Sequence, residues 1–255
     1  MKIVTFNLRC VWDGDEINGF VHRMGMIWDK INQEKPDVIG FQEVVPKTLE
    51  ALKCIMPEYD FVGHGRNKDY SGEGLYTAVR KSTMELIASE TFWIGPDPYE
   101  PGSRFEDQSF WPRTCVMTQI MDKDNGKNFR LYNLHLDHII ENARVEGMEC
   151  VWGQMQMNNK KRYLPSIVLG DFNAEADDLS LAFCKQTGEL WEVTGDIPYT
   201  FHDFGRGVEG DPGKKIDYIF VTKEFLPEVK KVEAWEDCLH GIYLSDHYPV
   251  VVELN

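Results

Sequence analysis

Basic residues are scarce in this chain. Lys and Arg number 27 against 42 Asp and Glu, a formal charge of −15 over 255 residues. A field of that sign repels polyanions and slows their approach, whereas proteins that grip a nucleic-acid backbone carry a basic stripe. The short groups Lys160-Lys161-Arg162, Lys214-Lys215 and Lys230-Lys231 read as solvated turns, so nucleic acid is a disfavoured partner. Close cysteine pairs are missing too. The six Cys, at 10, 54, 115, 150, 184 and 238, form no C-x-x-C pair, which argues against zinc and a compact disulfide framework and fits reduced thiols. Long apolar runs are absent: nothing approaches the roughly 18 residues of a membrane span. The apolar stretch at the N-terminus is too short for a signal peptide. No membrane partner and a cytoplasmic location are therefore expected. With no repeat and no Pro/Gly/Ser linker, 1–255 reads as one domain, and a monomer is expected.

What remains is an ordinary soluble composition. A hydrophobic content of 42% and a charged content of 27% suit a globular core of useful size. The 12% aromatic fraction, with seven Trp, points to a well-filled core or an aromatic-lined pocket.

Periodicity supplies the elements. Runs at 3–8 and 38–41 are short and β-branched or aromatic, hence strands. Between them Val21, Met24, Ile27, Trp28 and Ile31 recur at helical spacing, so 20–34 is an amphipathic helix ending at Pro36. Pro46 opens a second helix that Pro57 stops. Further strands are predicted at 59–64, 74–80, 84–94, 114–121, 129–136, 166–170, 216–222, 229–235 and 248–254. Lys81-Ser82 reads as a hairpin turn, as does Asp124-Asn125-Gly126. Helices are predicted over 139–158 and from Asp177-Asp178 onward. Stretches 95–112 and 205–213 read as loops. Hairpin-joined strands with helices between only some of them favour an α/β (α+β) four-layer sandwich, two packed mixed sheets flanked by helices, over a regular barrel.

The polar residues at the strand ends carry the chemistry. Pro-Ser-Ile-Val-Leu-Gly-Asp-Phe-Asn at 165–173 is an apolar run that stops in a carboxylate and a carboxamide, and Asn7, Glu43, His135, Asp217 and Asp246-His247 hold comparable places. Taken singly, Glu43 reads as an exposed turn acid, Asn7 as a strand cap, and Asp171 with Asn173 as an Asx-turn. Together they supply what hydrolysis of a phosphoester needs: a cation on the phosphoryl oxygens, an activated water and a stabiliser for the leaving group. Oxygen donors without Cys favour a hard ion.

Thr-Phe-Asn (5–7), Phe-Gln-Glu (41–43), Leu-His-Leu-Asp (134–137), Gly-Asp-Phe-Asn (170–173), Ile-Asp-Tyr-Ile (216–219) and Ser-Asp-His-Tyr-Pro (245–249) appear in that order. This series resembles the signature segments of the endonuclease/exonuclease/phosphatase superfamily. That group includes deoxyribonuclease I, apurinic endonucleases, inositol polyphosphate 5-phosphatases, neutral sphingomyelinases and nocturnin-like phosphatases. The resemblance implies a deoxyribonuclease I-like fold and a hydrolase acting on phosphomonoesters or phosphodiesters with Mg²⁺ or Mn²⁺. It makes Glu43 the principal metal ligand, with Asn7 and Asp246 assisting. Asp171 or His247 becomes the base, Asn173 holds water or a phosphoryl oxygen, Asp217 orients His247, and His135 has Glu73 as its partner. Arg113, in Phe-Trp-Pro-Arg-Thr, suits a phosphate clamp, against a surface salt bridge as its bland role; Arg144 reads as a structural pairing. His22, His64, His138 and His240 have no matching context. Trp12, Phe110, Trp111 and the 200–205 segment are candidates for an aromatic wall. Two departures stand out. Arg9 takes the place where apurinic endonucleases carry a metal-linked Asp, and the Trp-Cys-Asp-Arg segment of inositol polyphosphate 5-phosphatases is replaced by Lys215-Ile216-Asp217-Tyr218. On charge, a small or mobile phosphorylated metabolite is the expected substrate; a nuclease and a non-catalytic phosphate-binding module are the alternatives.

Overall fold

The structure is a computed structural model that describes residues 1–207 and 213–255. Its strands, in chain order, are β1 (Lys2–Asn7), β2 (Val38–Val44), β3 (Tyr59–Gly65), β4 (Gly74–Arg80), β5 (Met84–Ile94), β6 (Arg113–Asp122), β7 (Asn128–His135), β8 (Ser166–Asp171), β9 (Trp191–Glu192), β10 (Asp217–Val221), β11 (Val229–Ala234), β12 (Cys238–Leu239), β13 (Ile242–Tyr243) and β14 (Val250–Leu254). The α-helices are α1 (Phe20–Glu34), α2 (Pro46–Ile55), α3 (Glu141–Lys161) and α4 (Leu179–Gln186). Local chemistry sets their ends. Helix α1 closes on Lys35 in the left-handed region, just before Pro36. Pro46 occupies the first turn of α2, and the Asp178 side chain caps α4 by accepting from the Ser180 N–H.

Two six-stranded mixed sheets stack face to face. The first runs β11-β14-β1-β2-β4-β3 and the second β5-β6-β7-β8-β10-β9. Each is antiparallel except for one central parallel pair, β1 with β2 and β7 with β8. Alternation along the strands divides the core into three layers. Ile3, Val38, Leu131, Ile167, Ile219 and Val252 fill the space between the sheets. Val4, Phe6, Ile39 and Val251 point the other way, against Ile27 and Ile31 of α1 and Leu52 of α2. On the far side Tyr132, Leu134, Val168 and Phe220 meet Met148, Val151 and Met155 of α3 and Leu181 of α4. This is the deoxyribonuclease I-like four-layer sandwich expected above.

The layer between the sheets changes character along its length. On β1 the inner series is Ile3, Thr5, Asn7; on β7 it is Leu131, Asn133, His135; on β8 it is Ile167, Leu169, Asp171. Each series runs from apolar to polar toward the same end. Midway, Gln42 donates to the Asn133 carboxamide oxygen at 2.8 Å, and Asn133 donates to the carbonyls of Phe41 and Tyr76. These bonds satisfy groups that would otherwise be stranded in the core.

The sequence expectation fails at one turn. Lys81-Ser82 does not close a hairpin, because β4 is already paired on both edges, with β2 and β3. The chain crosses instead to the second sheet, where β5 pairs with β6. The Asp124-Asn125-Gly126 hairpin does join β6 to β7. The short strands β9, β12 and β13 were not anticipated, since two residues carry no readable period. The 205–213 loop lies partly outside the described residues.

Gly170 shows how tightly the site end is built. Its φ is 149°, and a methyl group there would run into the carbonyl oxygen of Leu134 on the neighbouring strand. Gly170→Ala is expected to lower stability by about 2–4 kcal/mol, read as a drop in the urea midpoint at unchanged m-value. A variant with the wild-type midpoint would contradict the close approach of β7 and β8.

Candidate active site

Strand register assembles the site. Across the parallel pair β7–β8, His135 lies opposite Asp171; across the antiparallel pair β8–β10, Asp171 lies opposite Asp217. In the facing sheet Asn7 lies opposite Gln42. Strict alternation would turn Glu43 away from the interior, but the β2–β4 register shifts between Phe41 and Val44, and Glu43 adopts φ 59°. The bulge re-aims its carboxylate. Asn173, at φ 49°, is likewise in the left-handed region that few residues other than glycine occupy.

Asp171 is the hub. Its Oδ1 accepts from the Asn173 N–H at 2.8 Å, which is the Asx-turn anticipated from spacing. That turn leaves Oδ2 free to accept from Asn7 Nδ2 at 2.9 Å and to face His135 Nε2 at 3.5 Å and His247 Nε2 at 3.9 Å. The same Asn7 amide reaches Glu43 Oε1 at 3.1 Å, and the Cys10 N–H donates to Glu43 Oε2 at 2.8 Å. Asp217 Oδ2 holds His247 Nδ1 at 2.7 Å. The Thr200 hydroxyl accepts from the N–H groups of both Ile216 and Asp217 at 3.1 Å. The Tyr248 N–H donates to the Thr200 carbonyl and the His202 N–H to that of Asp246, so residues 200–202 tie the two halves of the Asp217–His247 pair together.

The ionisation pattern follows from burial and neighbours. Burial and the adjacent Asp217 charge push the Asp171 carboxyl up to about 7. Burial opposes charge on His247, yet Asp217 overrides it and raises the imidazolium to about 10. His135 is the opposite case: burial, then the cations Arg113 and Arg66, hold its imidazole well below the usual value and keep it neutral. Burial works against the Glu43 carboxylate, but the Cys10 N–H, His247 and Asn7 prevail and lower it. A cationic imidazole, a carboxyl that titrates near neutrality and a neutral imidazole thus stand side by side within one buried cluster.

Among the described residues, two groups of side chains bring ligand atoms within 4.8 Å of one another: Glu43 with His135 and Asp171, and Asp171 with Asp217 and His247. In the second, the His247–Asp217 hydrogen bond already joins two of the three side chains. Asp246 stands apart. It accepts from the Ser245 hydroxyl at 3.0 Å and faces the guanidinium of Arg9 at 3.6 Å, which also pairs with Asp15. Arg9 therefore already supplies a positive charge beside this carboxylate.

The remaining candidates sort by partner. Glu73 pairs with Arg66 at 2.8 Å, and that corrects its expected role beside His135: the guanidinium of the preceding loop claims the carboxylate. Arg113 is buried and reaches His138 Nδ1 at 3.1 Å. Arg144 pairs with Asp178. Trp111 and Phe201 line the cleft with the catalytic candidates. Trp12 and Phe110 are exposed to 61% and 76%, so neither forms a closed wall. Arg66 and His138 are not among the expected site residues: His138 lacks matching context, and Arg66 follows β3 in a connection that carries no motif.

Residues 4–247 match the model of the endonuclease/exonuclease/phosphatase family. The chain is similar over its full length to an endonuclease/exonuclease/phosphatase protein of Bacteroides vulgatus, at 30% identity, 98% coverage of that chain and a TM-score of 0.90. It is similar also to a mannosyl-6-phosphatase of Bacteroides thetaiotaomicron, at 28% identity, 100% and 99% coverage and a TM-score of 0.88. Likeness to D. rerio TDP2 in complex with single-stranded DNA product, at 20% identity, 100% and 98% coverage and a TM-score of 0.74, is one of fold. A fold and a buried carboxylate–histidine cluster of this kind define a hydrolase acting on phosphoester bonds. The chain belongs to the endonuclease/exonuclease/phosphatase family. No helix among the described residues is long and apolar enough to cross a membrane.

His202 gives the site segment an acid limit. It is buried, its ring nitrogens have no hydrogen-bond partner among the described residues, and it stacks on Tyr248 at 3.9 Å between centroids. Burial, then the His247 charge, pushes it down to about 4. The unfolded chain binds this proton near 6.5 and the folded one only near 4, so the contribution is complete above 6.5 and is lost as pH falls toward 4. His202→Phe should remove up to about 3 kcal/mol of acid sensitivity over that window. Denaturant curves from pH 4 to 7 with the same slope for both proteins would refute it.

Proposed function

We propose that this protein is a Mg²⁺- or Mn²⁺-dependent phosphoesterase that hydrolyses a small, polar phosphorylated metabolite of the sugar-phosphate kind. One observation carries the reading: Asn7, Glu43, His135, Asp171, Asp217 and His247, from separate strand ends, meet through hydrogen bonds and contacts of 2.7–3.9 Å at a cavity of about 750 Å³. That volume suits a metabolite. The formal charge of −15 disfavours a polyanion, and the mannosyl-6-phosphatase likeness favours a sugar phosphate.

Glu43, assisted by Asn7, would hold the metal; oxygen donors of this kind suit Mg²⁺ or Mn²⁺. When bound, the ion supplies Lewis-acid neutralisation of a phosphoryl oxygen. Asp171, poised near neutrality, takes the proton of the attacking water. Asn173 and neutral His135 donate to the water or to phosphoryl oxygens. His247, kept cationic by Asp217, offers Nε2–H to the charge that builds on the phosphoryl group. Asp246, which the resemblance makes an additional metal ligand, already faces the Arg9 guanidinium and would act as its counter-ion. The protein would work as a cytoplasmic monomer.

Phosphate release from a panel of phosphomonoesters and phosphodiesters, with Mg²⁺ and with Mn²⁺, tests the proposal. Turnover is expected to fall by at least about 10³-fold in Glu43→Gln and in His247→Asn, each assayed at a temperature where the variant is folded by circular dichroism. Removal of the metal with a chelator should abolish turnover reversibly. Absence of release from every ester, or near-wild-type rates in either variant, would overturn it.

A further inference from the structure

Beside His135 stands a cationic wall that the hydrolytic chemistry does not require. Arg113 begins β6 and is only 5% exposed. It has no carboxylate partner among the described residues; its hydrogen bond is to His138 Nδ1 at 3.1 Å, and its Nε is buried without a partner. Because a guanidinium only donates, His138 must accept, and is therefore neutral. Arg66 is 8% exposed and its Nε likewise has no partner among the described residues. Its Nη1 bonds Glu73, and its planar group lies 4.9 Å from the Trp111 ring centroid.

Burying an uncompensated guanidinium costs several kcal/mol. Here two are buried side by side; Glu73 bonds Arg66, whereas Arg113 feels Asp137, Asp171 and Glu43 only at a distance and has no carboxylate in direct contact among the described residues. Burial and Arg66 push Arg113 down to about 10, which still leaves it charged at neutral pH. Arg66, Arg113, Glu43 and His135 border one small recess as well as the main cavity. The wall therefore adjoins the group proposed to hold the metal.

We infer that Arg113 and Arg66 form a two-guanidinium subsite that binds a terminal oxygen of the reacting phosphate and so selects phosphomonoesters over phosphodiesters. A monoester presents three terminal oxygens and, when fully ionised, two charges; a diester presents two oxygens and one charge. The metal and the His135–Asn173 donors occupy two oxygens, and the forked donors of Arg113 suit the third. In a diester that third position carries a carbon substituent, which leaves Arg113 without an anion in contact and adds bulk against the wall. Trp111 fixes the plane of Arg66, and His138 fixes that of Arg113.

This assignment rests on the phosphoesterase reading, but binding alone tests it. Calorimetry on the Mg²⁺-loaded protein would compare inorganic phosphate with dimethyl phosphate at about pH 8, above the second phosphate ionisation. Wild-type protein is expected to bind phosphate at least about 10-fold more tightly than the diester. Arg113→Met and Arg66→Met should each weaken phosphate by about 10- to 100-fold while changing the diester by less than about threefold. Arg113→Lys, which keeps the charge and loses the fork, should fall between. Equal affinity for the two anions in wild-type protein, or unaltered phosphate affinity in the folded variants, would overturn the subsite. Should Arg113→Met fail to fold, Arg66→Met and Arg113→Lys decide the matter on the same terms. Selective phosphate binding without hydrolysis of any monoester would leave the subsite standing and sink the catalytic proposal alone.

Discussion

Two carboxylates face each other across neighbouring strands in the interior, and much of the site answers to that fact. Asp171 and Asp217 are register partners on β8 and β10 and are both almost fully buried. Like charges directly opposite each other destabilise a sheet, so the pair persists only with compensation. His247 bonds one of them and faces the other, Asn7 and Asn173 donate to Asp171, and burial lets Asp171 hold its proton up to about 7. A charge conflict written into strand register thus yields a cation, a proton acceptor and a fixed imidazole at one point.

The sheets make this affordable by grading their shared interior. Their inner faces are hydrocarbon at one end and hydrogen-bonding at the other, with the Gln42–Asn133 bridge midway. Each sheet contributes one parallel pair, and the C-terminal ends of both pairs open at the cluster. Parallel neighbours finish at the same edge, so β1 and β2, like β7 and β8, deliver two polar ends to one place. The flanking antiparallel strands then bring Asp217 and, on the other side of the cleft, the entry to β14.

Much of this was legible in the chain itself. The helical period of 20–34, the prolines at 36 and 46 and the Asp124-Asn125-Gly126 turn specify local structure through steric and hydrogen-bonding rules that need no distant partner. The Asx-turn at Asp171–Asn173 is of the same kind. It illustrates that a bland local role and a chemical one can coexist, since one carboxylate oxygen makes the turn and the other faces the cluster. What was not legible depends on pairings between remote segments. The Lys81-Ser82 turn looks like any hairpin until both edges of β4 are known to be taken. Glu73 stands in the right segment to serve His135, but only the path of the 65–73 loop reveals that Arg66 holds it. Arg66 and His138 have no signature because their importance lies in what their neighbours lack.

The division of the cluster between two sheets has a consequence for how the protein responds to damage. Asn7 and Glu43 ride on one sheet, and His135, Asp171 and Asp217 on the other, so the hydrogen bond from Asn7 to Asp171 is also a clasp between layers. Loosening of the hydrocarbon contact anywhere between the sheets displaces half of the cluster relative to the other half. A slip too small to disturb any single strand would be felt first as misalignment at the chemistry. The site is in effect a gauge of how well the two halves of the molecule are docked, and neither half can carry a working fragment of it alone.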